Sequence, residues 1–308
     1  MKKPLTVATR GTRLAIAQTR IVTGLLKKIY PDIKIKIKKI ATAGDRDKKT
    51  ALWNLKSTGF FTSQVENALL AKDADFAVHS FKDLPTKQPE GLTITAVCDR
   101  QFPEDCLVAG PHLASIEQLT KSAKIGTSSL RRSAQVKNLR PDLKPTAIRG
   151  NVPTRIKFFE EGKFDAVILA RAALERLALQ NKISFSFNPE QFIPAPAQGA
   201  LAVQTRTDDT GTIKLLSAID DKNVRLTALT ERQILATTQC GCHGPVGAFA
   251  KVLGDNIEIF AFISDLEGVN FIKRQIAGPA AKAQQLAEKL GSRLLDAGGR
   301  EILENLKK

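Results

Sequence analysis

Short apolar runs that alternate with segments of helical period constrain this chain more than any other feature. Leu5 to Ala8 form such a run, and Leu14, Ala17, Ile21, Leu25 and Ile29 then recur at helical spacing until Tyr30-Pro31 stops the helix. Ile33, Ile35 and Ile37 alternate with polar or charged neighbours, the period of a strand with one wet face. Asp75 to His79 reads as a buried strand running into Ser80-Phe81-Lys82-Asp83-Leu84-Pro85; a proline there makes the peptide a turn at the strand's carboxyl end. Lys124-Ile125-Gly126 leads into Thr127-Ser128-Ser129, whose hydroxyls suit the cap of a helix continuing through Val136 and Leu139. A strand over 146–149, a helix over 151–161 and a very apolar strand over 164–170 follow. Alternation of this kind, with apolar strands, favours open α/β sheets.

The last third is patterned differently. A helix over 223–236 precedes the Cys240 to Gly247 turn; strands are expected near 248–253, 257–264 and 270–276, joined through Gly254-Asp255-Asn256 and 265–268. A final helix carries Ala283, Leu286, Leu290 and Leu294 on one face. This is the pattern of a small α+β domain with an antiparallel sheet. Residues 41–59 are polar and glycine-containing with little periodicity, as in a mobile loop, and lead into a helix with Val65, Leu69 and Leu70. The stretch 194–199 reads as a crossing between units, and no internal repeat is visible. A chain of 308 residues with 43% apolar content fits two or three domains.

Charge narrows the function. Forty-seven Lys and Arg against 31 Asp and Glu leave a formal net charge of +16, which suits nucleic acid, an anionic membrane or an anionic small molecule. Some of the excess merely solvates the surface, as at Lys36, Lys38 and Lys39. The arginines are placed more tellingly. Arg10, Arg13, Arg131, Arg132, Arg149, Arg155 and Arg176 lie at strand ends, helix starts or nearby turns, where an open α/β sheet places its ligand crevice. Arginine forks match carboxylates or phosphates, and Thr127 to Ser129 add hydroxyls and helix-start amides. With one Trp and one Tyr the chain has few stacking platforms for nucleic acid, so a compact polyanion is the better expectation. No apolar run is long enough to span a bilayer, and Arg10 and Arg13 interrupt any secretory apolar core in residues 1–20. Four cysteines are too few for a disulfide scaffold of this size, and a cytoplasmic protein is expected.

Two further constellations bear on chemistry. Asp83, beside Lys82 and near His79, is a carboxylate in a basic setting; it either stabilises a developing cation and manages proton transfer or simply closes the turn before Pro85. Cys240-Gly241-Cys242-His243 admits a covalently reactive thiol, a metal site or ordinary packing, and Cys-x-Cys spacing alone is a weak zinc signal.

His79-Ser80-Phe81-Lys82-Asp83-Leu84-Pro85, Gly126-Thr127-Ser128-Ser129-Leu130-Arg131-Arg132, Arg149-Gly150-Asn151-Val152-Pro153-Thr154-Arg155 and the cysteine turn ending in Pro245-Val246-Gly247 together resemble the porphobilinogen deaminase family, in the right order along nearly the whole chain. The resemblance implies two periplasmic-binding-protein-like domains around a cleft, residues 1–98 with 199–217 and residues 99–198, plus a small C-terminal α+β domain over 218–308. It implies a transferase that joins four porphobilinogens head to tail onto a dipyrromethane cofactor, with loss of ammonia, and releases hydroxymethylbilane by hydrolysis. The cofactor thioether falls on Cys242, the cysteine directly before His243-Gly244-Pro245, while Cys240 stands where the family usually has glycine. Asp83 is the implied catalytic carboxylate, also touching the cofactor. Lys82, Thr12, Thr127, Ser128, Ser129, Arg131 and Arg132 are implied cofactor ligands; Arg10, Arg149, Arg155 and Arg176 are implied to hold substrate. No metal, nucleic acid or membrane partner is expected, and the chain is expected to be a monomer. A non-catalytic anion-binding protein of the same fold is the alternative.

The chain departs from the family pattern at Thr58, where a loop lysine is usual, at Ser63-Gln64 for Lys-Glu, at Ala197 in Ala195-Pro196-Ala197-Gln198-Gly199, and at Gln204, where glutamate is frequent. The loop change removes a cation that would contact carboxylates transiently.

Overall fold

The computed structural model describes residues 4–42, 62–241 and 244–306. Along the chain run β1 (Leu5–Arg10), α1 (Arg13–Ile29), β2 (Ile35–Ile40), α2 (Ser63–Leu70), β3 (Phe76–Ser80), β4 (Leu92–Cys98), β5 (Asp105–Val108), β6 (Lys124–Gly126), α3 (Leu130–Leu139), β7 (Lys144–Thr146), α4 (Val152–Glu160), β8 (Ala166–Ala170), α5 (Arg171–Arg176) and β9 (Phe185–Ser186). Then come β10 (Leu201–Arg206), α6 (Thr210–Leu216), α7 (Lys222–Thr238), β11 (Val246–Leu253), β12 (Asn256–Ser264), β13 (Phe271–Pro279), α8 (Ala283–Leu294) and α9 (Arg300–Asn305). The described residues fall into two compact units: 4–42, 62–101 and 199–225 in one, and 102–198 with the described part of 226–308 in the other.

The first unit is built on a sheet of order β2-β1-β3-β10-β4. β1 is parallel to β2 and β3, and β10, arriving from far down the chain, is antiparallel to β3 and β4. Val22 and Leu26 of α1 bury Val7, Phe76, Val78, Leu201 and Val203 on one face; Val65 and Leu69 of α2 cover Ala8 and Ala77 on the other. Thr12 caps α1 by accepting the Ala15 N–H at 3.3 Å, and Lys27 and Lys28 in the last turn suit the helix dipole. Two expectations change. Leu70 is 44% exposed rather than part of the α2 core face, and Ile37 is 40% exposed because β2 is the outermost strand. The lysines of β2 guard that open edge against further pairing.

The second unit holds a sheet of order β7-β6-β8-β5-β9. β6 is parallel to β7 and β8, and β5 is antiparallel to β8 and β9. The order is that of the first sheet, with β5 in the place of β10. The repeat that no sequence comparison within the chain reveals is thus present in the topology. Each sheet takes its inserted strand from beyond its own parallel core, so the matching pieces do not follow one another at a fixed period. The strand expected over 146–149 ends at Thr146, because the residues after it form the turn into α4. There Gly150 has φ +100°, and a Cβ on it would lie 2.8 Å from the Thr154 methyl.

The same unit carries the antiparallel sheet β11-β12-β13. One face packs under α7 and α8, with Ile234, Ala287, Leu290 and Leu294 against Ala248, Ile257, Ile259 and Ala261. Phe249, Phe260 and Phe262 of the other face pack with Ile193. The turn between β12 and β13 sits on α3: Lys137 Nζ lies 2.7 Å from Glu267, and Asn138 Nδ2 donates to the Gly268 carbonyl at 3.0 Å. A Cβ at Gly268 would meet the Ala134 carbonyl oxygen at 2.5 Å, so only glycine allows that approach.

Candidate active site

In the first unit the carboxyl ends of β1 and β3 and the start of α1 open onto a pocket lined by Arg10, Thr12, Gln18, Thr62, His79, Ser80 and Asp83 among others. Asp83 closes a short 3-10 turn, Phe81–Asp83, and is exposed, whereas Phe81 and Leu84 beside it are buried anchors. Lys82 shares that turn. Gln18 of α1 is 5% exposed and donates to Ser80 Oγ at 2.8 Å, fixing the strand end beside Asp83. The structure therefore gathers Arg10, Thr12 and Asp83 into one pocket, as an open sheet does at its strand ends.

In the second unit the hydroxyls after β6 are engaged with the chain itself. Ser129 caps α3 by accepting the Arg132 N–H at 3.5 Å, Thr127 Oγ1 accepts the Ser129 N–H at 3.3 Å, and Ser128 clips onto the main chain of Ile148, whose N–H reaches its Oγ at 3.0 Å. Arg131 and Arg132 are buried and share one carboxylate. Asp105 accepts from Arg131 Nη2 at 2.7 Å, from Arg132 Nη2 at 2.7 Å and Nε at 3.1 Å, and from Gln198 Nε2 at 2.8 Å. Further donors go to main-chain carbonyls, Arg131 Nη1 to Ile193 and Arg132 Nη1 to Ile168. Burial alone would raise the Asp105 pKa; the two guanidinium groups outweigh it and hold the carboxyl well below the usual range. Arg131 Nε, buried, has no acceptor among the described residues.

Arg149 and Arg155 flank the Gly150 turn, and Asn151 caps α4 by accepting the Thr154 N–H at 3.0 Å. Arg155 Nε donates to the Gly150 carbonyl at 2.9 Å. Burial, then the like charges of Arg132 and Arg149, pull the Arg155 pKa down to about 10. Arg176 ends α5.

Sequence reasoning missed Asp105, Gln18 and Gln198. A lone carboxylate at the head of the apolar run Asp-Cys-Leu-Val is the available signal for Asp105, since paired buried arginines need a counter-ion. Cys98 and Cys106 are buried, and burial, with Asp105 second, pushes the Cys106 thiol up to about 12. Cys240 is half-buried. Cys242, the expected tether, and Thr58, with the expected loop, lie outside the described residues. No group of metal-ligating side chains is present among the described residues.

Fold and site together define a protein of repeated α/β sheets whose strand ends pair a carboxylate with arginines, suited to an acid-bearing ligand. A family model described as the porphobilinogen deaminase dipyromethane cofactor binding domain matches residues 5–214, and one for the porphobilinogen deaminase C-terminal domain matches 225–296. The chain is 39% identical over 309 residues to the porphobilinogen deaminase of Desulforudis audaxviator, covering 100% of this chain and 99% of that one. It is 35% identical over 300 residues to that of Syntrophobacter fumaroxidans, covering 97% of each. Among solved structures, the methionine-binding protein MetQ aligns over 70% of this chain and 89% of its own, with TM-score 0.44 and 10% identity. The chain belongs to the porphobilinogen deaminase family.

Proposed function

We propose that the chain is a working transferase that condenses four porphobilinogens head to tail, releases ammonia and then frees hydroxymethylbilane by hydrolysis. The observation that carries this reading is the pocket that sets Asp83 beside Arg10 and Thr12. An acid-bearing ligand needs the cation, and a reaction that develops positive charge needs the carboxylate. Simple anion binding has no use for Asp83 there, which disfavours the non-catalytic alternative.

The residues present fit a dipyrromethane group. Arg131 Nε is a buried donor with no acceptor among the described residues, and Arg155 is held next to the like charges of Arg132 and Arg149. Arg131, Arg132, Thr127, Ser128, Ser129, Lys82 and Thr12 are the proposed holders of its acid groups, with Cys242 as the covalent tether. When bound, the group supplies the pyrrole end to which incoming units are joined. Because Asp105 and two main-chain carbonyls engage both terminal nitrogens of Arg131 and all three guanidinium nitrogens of Arg132, their direct contribution is limited, and Arg149 and Arg155 take the larger share of carboxylate binding. Arg10 orients the incoming acid, and Arg176, at the end of α5, is a further proposed substrate-binding cation. Asp83, acceptor-only when ionised, stabilises the substrate's cation and takes or returns its proton.

Three working parts are proposed: 1–98 with 199–217, 99–198, and 218–308. A cytoplasmic monomer is the proposed form; no helix among the described residues is long and apolar enough to cross a membrane.

The test is intact mass and turnover of protein made in cells that supply porphobilinogen. The wild-type chain should carry a two-pyrrole increment that Cys242→Ser lacks. Asp83→Asn should keep the increment and lose about 100-fold or more of kcat. A folded but unmodified wild-type chain overturns the cofactor assignment, and near-normal turnover of Asp83→Asn overturns the catalytic one.

A further inference from the structure

Beneath the Asp83 pocket lies a chain of buried polar side chains that the mechanism above does not use. Gln204 of β10 is 0% exposed, Glu66 of α2 is 5% exposed and His79 of β3 is 7% exposed. The Gln204 amide nitrogen donates to Glu66 Oε1 at 3.3 Å and to Gln88 Oε1 at 2.9 Å, and its oxygen lies 3.2 Å from His79 Nε2. Thr62 Oγ1 donates to the other Glu66 oxygen at 3.2 Å. Sheet register explains the meeting. Gln204 stands opposite Ala77, which places it on the same face as His79, and a bulge against β4 falls at Val203/Gln204.

Donor counting then fixes the ring. The Gln204 NH2 faces two acceptor oxygens, Glu66 Oε1 and the Oε1 of Gln88, whose own amide nitrogen donates to the Pro85 carbonyl at 2.9 Å. The Gln204 carbonyl oxygen must therefore face His79, and only a protonated Nε2 satisfies that oxygen. An amide serves both neighbours at once, donating to one and accepting from the other. Of the charged groups at this end of the surrounding elements, Arg10 on β1, Arg13 on α1, Glu66 on α2 and Lys82 and Asp83 after β3, Arg10 acts on the ring most directly. Burial lowers the His79 pKa most, the Gln204 bond works the other way, and Arg10 lowers it again, to about 4.

We propose that Glu66 and Gln204 are positioning residues that hold His79 as the neutral Nε2–H imidazole, keeping an imidazolium out of the pocket in which Asp83 must stabilise a substrate cation. The need for neutrality rests on the function proposed above; the tautomer does not. A histidinium at that wall would compete for Asp83 and repel the same cation.

The test is 15N NMR of the imidazoles in the full-length chain without substrate, followed by the pH dependence of turnover. The chain has three histidines, so His112→Asn and His243→Asn identify the His79 signals by elimination. Wild type should show the Nε2–H tautomer, neutral down to pH 5. Gln204→Glu places a carboxylate against the ring and should raise its pKa by about 1–3 pH units. Its kcat should fall with the same apparent pKa on the acid side and recover above it, whereas a purely structural defect lowers kcat at every pH. An Nδ1–H tautomer, a wild-type ring titrating near 6.5, or an unmoved ring in folded Gln204→Glu overturns the proposal. If Gln204→Glu does not fold, Glu66→Gln combined with Gln88→Ala serves: freed of both acceptors, the Gln204 amide can turn, and the ring should populate both tautomers. A single unchanged tautomer there counts against the proposal. Correct spectra with no porphobilinogen turnover sink the transferase reading alone; wrong spectra with normal turnover sink the positioning role alone.

Discussion

Asp105 and His79 are buried ionisable groups whose contributions to stability run out in different pH windows. The Asp105 carboxyl is held well below its ordinary pKa by Arg131 and Arg132 against the cost of burial. Its stabilisation is present above the unfolded value of about 3.9 and is lost only as pH falls below that. His79 is the reverse of the usual histidine: its folded pKa of about 4 lies under the ordinary value of 6.5, because burial disfavours the cation. The unfolded chain therefore binds a proton first, and stability falls between pH 6.5 and 4, on the order of 3 kcal/mol in all. Chemical denaturation of the wild-type chain should show most of that loss between pH 7 and 4.5, and His79→Gln should flatten it. Asp105→Ala should cost about 3–5 kcal/mol at pH 7, since it leaves two buried guanidinium groups without their counter-ion. A loss under 1 kcal/mol would mean that solvent reaches the pair.

At the scale of elements, the crossing segment before β10 carries the clearest strain. Ala197 sits at φ +62° and is 0% exposed, a conformation that glycine adopts freely and alanine does not. The backbone is held there from both sides: Glu231 of α7 accepts the Ala197 N–H and the Ala250 N–H, each at 2.7 Å, and the neighbouring Gln198 reaches Asp105. Those contacts over-determine the turn, so the strain persists. Ala197→Gly should stabilise the chain by about 0.5–1 kcal/mol, read as a rise of roughly 1–3 °C in Tm. An unchanged or lower Tm would show that the buried methyl's packing outweighs its backbone strain. The same segment ties α3 in place, because Gln135 exchanges hydrogen bonds with the main chain of Ile193 at 2.7 and 3.1 Å. The helix that bears Arg131 and Arg132 is thus gripped by β5, by the crossing segment and by the turn after β12.

For the whole molecule, a net charge of +16 facing a substrate rich in carboxylates should make capture depend on salt. Raising KCl from 50 mM to 0.5 M should lower kcat/KM several-fold, chiefly through KM, as the Debye length shrinks to a few ångströms. A flat response would place the excess charge away from the substrate's path. Much of this protein was legible before any coordinates. Hydrophobic period is a local property, so α1, α3, the buried strands and the antiparallel C-terminal sheet followed from it, and the motifs around Asp83, Arg131 and Arg149 pointed to the family. Boundaries near Thr146 and the exposed Leu70 did not follow, because turns and sheet edges depend on what packs nearby. The strand order shared by the two α/β sheets, the Asp105 clasp and the Glu66–Gln204–His79 chain were set by tertiary structure alone. Each joins residues far apart in sequence, and burial there turns an ordinary side chain into a counter-ion or a fixed tautomer. The chain's periodicity and motifs determined its elements and family; only packing decided which of its charges are spent inside the protein and which face a ligand.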